Sequence, residues 1–300
     1  MLALAVIVSG CVTLEKNPVS GNKRAFGYSW EEEVKLGNQA DKEIVAQYGL
    51  YQNEELSNYV SDLGQALLEV SHLRREDTPK QFRETEFTFR VLDSPVVNAF
   101  ALPGGYVYVT RGLLAHLNNE AQLAVVLGHE IGHVAARHSS QRAVEQQVGQ
   151  LAVIGGAVIG QSLGYDGGSI LQLSSQTAQL MFLKYSRDHE RESDALGVEY
   201  SAMKNYQAAE GAEFFNSLER ISKTTGGGVP TLLSSHPDPG EREKTIPELA
   251  EKWKEKGYEQ TILDDEEFMS MIEGIIYGNN PRQGFEIRSN ELKNSAPSAA

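Results

Sequence analysis

Cysteine is almost absent from this 300-residue chain: Cys11 is the only one, so the folded body has no internal disulfide and must be held by its core. Positive charge is also scarce. Lys and Arg number 27 against 41 Asp and Glu, and a formal charge of −14 argues against a nucleic-acid partner, which would need a basic face. Long apolar runs are missing as well. The nearest approach is residues 148–165, where Gly155, Gly156, Gly160 and Gly164 interrupt Ala, Val and Ile well short of the roughly 18 to 20 residues that a membrane-spanning helix needs. That stretch reads as a buried helix pair or a lid. There is no internal repeat, and 40% hydrophobic residues are enough for one large domain or two small ones with a real core.

Against this background stands His129-Glu130-Ile131-Gly132-His133. Four positions apart at about 100° per residue, His129 and His133 share one helical face and can reach a single ion, while Glu130 falls beside that face, within reach of a water on the ion. Asn119 and Gln122 form an N-terminal cap, and Leu123, Val126, Leu127, Ile131 and Val134 supply a buried side, so one long helix is predicted over 119–142. His138 is five residues past His133, about 140° round the helix, and on this phase faces away. The extended pattern with a third histidine would need Gly at 136 and His at 139. The chain has Ala136 and Ser139, which excludes that branch.

The rest of the chain falls around this helix. Residues 1–8 are apolar and too short to span a bilayer, and Val8-Ser9-Gly10-Cys11 resembles the lipobox at which bacterial lipoprotein signals are cleaved. The resemblance implies a signal peptide at 1–10, a lipid on Cys11 and a tether over 11–28. A single domain then covers 29–277 and a tail 278–300. Ser29 with Glu32 opens one helix, and Leu56, Val60, Leu63, Leu67 and Val70 stripe a second. Alternation at Phe87, Phe89 and Val91 predicts a strand, and 97–101 and 106–110 predict two more, joined through Pro103-Gly104-Gly105. An edge strand in such a sheet can pair with an extended substrate, which makes Asn98, Ala99, Phe100 and Ala101 candidates for that contact. Which edge is free is not legible from the sequence. A further long helix is predicted over 174–203, and others over 208–221, 241–256 and 264–277.

A catalytic zinc ordinarily has three protein ligands. On the 174–203 helix, Glu190 and Asp194 share one face and Asp188 and Glu192 another, and spacing leaves both pairs open. H-E-I-G-H, followed by Y-S-R-D-H-E-R-E-S-D-A-L-G, N-P-V-S-G, N-A-F-A-L-P-G-G and the Ser235-His236-Pro237 loop, resembles the CAAX prenyl protease and heat-shock membrane protease family of zinc metallopeptidases. The likeness is strongest to periplasmic lipoproteins related to the beta-barrel assembly-enhancing protease. It implies an α+β, mostly helical zincin fold with a small sheet ahead of the motif helix, and one Zn2+ held by His129, His133 and Glu190. Glu130 is then the general base, and Asp194 a proton donor or histidine orienter. Glu192 reads as a solvated neighbour paired with Arg187 or Arg191. His236 is implied as a fourth ligand or a stabiliser of the transition state. The resemblance further implies an endopeptidase anchored by lipid on the periplasmic side of a bacterial envelope, acting on unfolded or misassembled envelope proteins beside the outer-membrane assembly machinery. The competing expectation is an envelope chaperone or assembly factor in which zinc is structural.

Overall fold

The computed structural model describes residues 12–154, 175–181, 183–224, 232, 235–236, 241–277 and 285–286. An antiparallel hairpin, β1 (Thr13–Lys16) and β2 (Lys23–Phe26), leads into helices α1 (Trp30–Tyr48) and α2 (Glu54–Val70) and the short α3 (Lys80–Arg83). Strands β3 (Thr88–Leu92), β4 (Ala99–Leu102) and β5 (Tyr106–Thr110) follow, and then α4 (Arg111–Leu114), α5 (Glu120–Ala136), α6 (His138–Ile154), α7 (Ser175–Met181), α8 (Arg187–Met203) and α9 (Glu210–Thr224). Helices α10 (Arg242–Glu255) and α11 (Asp265–Met271) precede a minimal pair, β6 (Ile276–Tyr277) and β7 (Phe285–Glu286). This is the expected α+β, mostly helical arrangement.

Helices α1, α2, α5 and α8 begin where a side chain satisfies an orphan backbone donor. Ser29 accepts from the Glu32 N–H, and the Glu32 carboxylate accepts from the Ser29 N–H at 2.7 Å. Asn53 caps α2, Asn119 caps α5 by accepting from the Gln122 N–H at 2.9 Å, and Ser186 caps α8 by accepting from the His189 N–H. The three-stranded sheet has the order β3-β5-β4, with β3 parallel and β4 antiparallel to β5. β4 is therefore an edge, yet all four of its residues are buried, because α1, α5 and α7 pack around it.

Helix α5 is buried along its whole length, and α8 lies directly against it. Two glycines permit that approach. A Cβ on Gly128 would stand 3.0 Å from the Gly197 Cα, and one on Gly197 would stand 2.9 Å from both the His129 N and the Val125 O. The backbones thus touch beside His129, which brings α8 carboxylates within hydrogen-bonding distance of α5 imidazoles.

The helix expected over 264–277 ends at Met271, ahead of β6, and two further departures from the expected elements trace to a buried side chain. The helix predicted over 119–142 breaks at Arg137, which is left-handed (φ 59°) and fully buried. Its guanidinium donates to Glu33 Oε1 at 2.8 Å, Glu15 Oε2 at 2.6 Å and the Tyr28 carbonyl at 2.7 Å, and its centre lies 3.8 Å over the Phe26 ring. Satisfying those acceptors turns the chain out of the helix. The stretch expected as a tether is consequently the β1–β2 hairpin, fastened to the end of α5 by Arg137 and by Asn17, whose Nδ2 donates to the Ala136 carbonyl. The helix predicted over 174–203 is two helices, because the buried Tyr185 and the Ser186 cap intervene. Cys11, most of the glycine-rich stretch and most of the tail lie outside the described residues, although 148–154 continue α6 and Phe285–Glu286 pair with Ile276–Tyr277.

The helix contact generates a stability prediction. Gly197→Ala forces α8 off α5 and should cost about 1–3 kcal/mol in denaturant unfolding. A change below about 0.5 kcal/mol would show that the contact has slack.

Candidate active site

Helix α5 points His129 and His133 to one side, and α8 brings Glu190 against them. His129 Nε2 and His133 Nε2 are 2.9 Å apart, and Glu190 stands 3.5 Å from each, through Oε2 and Oε1 respectively. His236 reaches the same point. Its Nδ1 is 3.3 Å from His129 Nε2 and 3.2 Å from Glu190 Oε1. Among the described residues these four side chains, all buried, form the group that could hold a metal, with ligand atoms within 4.8 Å of one another. Ligand atoms about 2.0–2.1 Å from a tetrahedral zinc would be separated by about 3.4 Å, so the spacing fits one shared ion.

Charge makes the same demand. Glu130, Glu190 and Asp194 are buried within this cluster with Arg242 as the buried cation among them, so with all three carboxylates ionised two negative charges are left for a divalent ion to balance. Burial holds the His133 imidazole well below its usual pKa, in the neutral form that ligates. Burial alone would raise the Glu190 carboxyl, but His236, His133 and His129 hold it well below the usual carboxylate range. For Glu130 burial prevails over the nearby imidazoles and the pKa is raised. The Ala101 N–H faces that carboxylate, and Glu130 Oε2 is buried with no hydrogen-bond partner among the described residues.

The surrounding residues orient this set. His129 Nδ1 donates to Asp194 Oδ1 at 2.9 Å, while Asp194 Oδ2 accepts from Arg242 Nε at 2.7 Å, so both Asp194 oxygens are engaged. Arg242 Nη2 donates to Glu190 Oε2 at 2.7 Å, and the guanidinium stacks 4.2 Å over the Phe215 ring. Tyr185 stacks on His133 at 4.0 Å between ring centres. Sequence alone assigns no role to Arg242 or to Tyr185, although Tyr185 opens the Y-S-R-D-H-E-R-E-S-D stretch. His138, which a continuous helix would turn away, is brought behind His133 by the break at Arg137. Glu192, expected as a solvated partner of Arg187 or Arg191, instead accepts from His138 Nε2 at 3.0 Å. Of the strand residues expected at the substrate, Ala101 is placed against the cluster, its N–H facing Glu130, whereas Phe100 stacks on Tyr108 in a separate core with Leu102 and Met181.

Removing the guanidinium leaves two buried carboxylates without their cation. Arg242→Ala should therefore cost about 3–5 kcal/mol in denaturant unfolding of the metal-loaded protein. A loss under about 1 kcal/mol would mean that the ion alone suffices to hold Glu190 and Asp194.

A model of peptidase family M48 matches residues 63–250, a span that includes every residue of this cluster. The chain is 30% identical to a putative beta-barrel assembly-enhancing protease of Vibrio cholerae over 192 residues, 62% of this chain and 37% of that protein. It is 26% identical to the beta-barrel assembly-enhancing protease of Yersinia pestis over 229 residues, covering 75% and 45%, and 28% identical to the mitochondrial metalloendopeptidase OMA1 of Schizosaccharomyces pombe over 244 residues, covering 78% and 66%. The matched segments thus span less than half of either bacterial relative. With the match running from α2 into α10 and enclosing the buried histidine and carboxylate cluster, the chain belongs to peptidase family M48.

Proposed function

We propose that the protein is a zinc-dependent endopeptidase that hydrolyses peptide bonds of cell-envelope proteins. The observation that carries this reading is Glu130, buried beside the convergent donors with one carboxylate oxygen unpartnered. In this reading His129, His133 and Glu190 hold the zinc, which when bound supplies Lewis acidity toward a water and the scissile carbonyl. Glu130, its pKa raised by burial, takes a proton from the attacking water and delivers it to the leaving amine nitrogen. Asp194 orients His129 through Nδ1, a role supported by the engagement of both its oxygens.

The β4 edge is suited to hold the substrate backbone. The Thr110 N–H donates to the Asn98 carbonyl, so Asn98, Phe100 and Leu102 face β5 while Val97, Ala99 and Ala101 face outward. On that outer side the Val97 carbonyl accepts from the Leu232 N–H at 3.4 Å and the Ala101 N–H faces Glu130. The Ala99 N–H and C=O lie between them, without a backbone partner among the described residues. An extended peptide paired there would pass directly over the zinc ligands.

A fourth side chain at the centre, His236, favours a second reading in which zinc is structural and the protein acts as a chaperone or assembly factor, since structural sites are closed by four protein ligands. That reading gives Glu130 nothing to do. We instead assign His236 to a resting state in which its Nδ1 fills the fourth position, a geometry supported by its contacts to His129 and Glu190. Envelope location and a lipid on Cys11 rest on the lipobox and on the names of the bacterial relatives, and unfolded or misassembled envelope proteins are the proposed substrates. No helix among the described residues is long and apolar enough to cross a membrane.

Three measurements test this reading. Glu130→Gln should retain one zinc per chain and lose about 10²–10⁴-fold in casein cleavage; undiminished cleavage would exclude Glu130 as the base and admit the chaperone reading. His236→Ala should raise basal cleavage with zinc retained, whereas lowered cleavage would place the imidazole on the transition state instead. In membrane fractionation Cys11→Ser should move the protein into the soluble fraction, and continued sedimentation with membranes would remove the lipid anchor from the proposal.

A further inference from the structure

The two histidines of α5 are supported differently. His129 has a carboxylate on its outward nitrogen. His133, whose Nε2 points into the donor cluster, has a second imidazole there: His133 Nδ1 and His138 Nδ1 are 2.9 Å apart. Between two ring nitrogens at that distance one donates and the other accepts. If His133 offers its Nε2 lone pair to a metal, its proton is on Nδ1, and His138 Nδ1 must be the acceptor. The His138 proton is then on Nε2, which faces Glu192 Oε2 at 3.0 Å. With both imidazoles neutral, only this assignment gives every nitrogen in the chain a partner of opposite sense.

We propose that His138 and Glu192 are positioning residues for zinc: the Glu192 carboxylate fixes the His138 tautomer, and His138 in turn holds His133 with Nε2 presented to the ion. This inference rests on the zinc-site reading above and extends it to a pair that touches neither metal nor substrate. The surroundings suit the task. His138 is fully buried, its ring is held in a stack with His189 at 4.3 Å between centres, and the Ser193 hydroxyl lies 3.3 Å from the accepting Nδ1. The carboxylate comes from α8, the helix that supplies Glu190 and Asp194, but from its opposite side. One helix therefore backs both α5 histidines, His129 directly through Asp194 and His133 through the interposed imidazole of α6. The left-handed turn at Arg137 makes this geometry available, because it swings His138 back behind His133. Hydrogen bonds of this kind, to the outward nitrogen of a ligand histidine, are worth about 10–100-fold in metal affinity.

The test is zinc affinity by competition with a chromophoric chelator, with the fold of the zinc-free proteins compared by circular dichroism. His138→Leu should weaken zinc binding about 10–100-fold. His138→Asn, whose Oδ1 takes the place of Nδ1, should restore most of it, which a packing role would not do. Glu192→Gln should weaken zinc less than His138→Leu does, and should add nothing in a His138→Leu or His138→Asn background, because the link it acts through is already cut. Native affinity in His138→Leu, or an equal loss from Glu192→Gln with and without His138, would overturn the proposal. Should His138→Leu not fold, His138→Asn and Glu192→Gln give the same non-additivity test. Failure of the native protein to take up one zinc would instead defeat the underlying site reading, whatever the variants do.

Discussion

The contact of α5 with α8 at Gly128 and Gly197 is the constraint on which the site depends. Histidines on one helix and carboxylates on another converge only if the backbones approach more closely than ordinary side chains allow. Here the approach is made beside His129, one residue from one end of the contact. Placing so many ionisable groups in a dry interface is costly unless each charge is opposed and each polar atom partnered. The α5–α8 seam meets that demand with Arg242 from a third helix, with the His133 imidazole kept neutral by burial, and with a donor set that fits a divalent ion.

The same physics recurs one turn further along. Arg137 is as deeply buried as Arg242 and is likewise opposed by two carboxylates, Glu33 and Glu15. One arginine ties α10 to Glu190 and Asp194 of α8; the other ties the N-terminal hairpin and α1 to the end of the histidine helix. Both lie over aromatic rings, Arg242 on Phe215 and Arg137 on Phe26, which shield the ion pairs from water. Helix α5 is thus held at its end and along its side by ion pairs largely withdrawn from water, Glu15 being their most exposed member.

Much of the local architecture was legible in the sequence because its causes are local. The Ser29 and Asn119 caps lie within four residues of the groups they satisfy, and the alternation at Phe87, Phe89 and Val91 needs only the pleat. The i, i+4 spacing of His129 and His133 places both imidazoles on one face whatever surrounds the helix. Resemblance then singled out Glu190 and Asp194 over Asp188 and Glu192, a choice that spacing left open because both pairs are one helical turn apart.

What the sequence by itself determined is therefore the histidine pair, the glutamate beside it and the helices and strands that carry them, since each follows from periodicity and capping over a few residues. Only the tertiary structure decided that the helix stops at Arg137, that His138 turns back to His133, that Glu192 meets His138 rather than a neighbouring arginine, and that Arg242 closes the charge balance from 48 residues beyond Asp194. These outcomes are set by which buried charges face each other across helices. The energy of a buried charge depends on partners distant in the chain, so no local pattern encodes it.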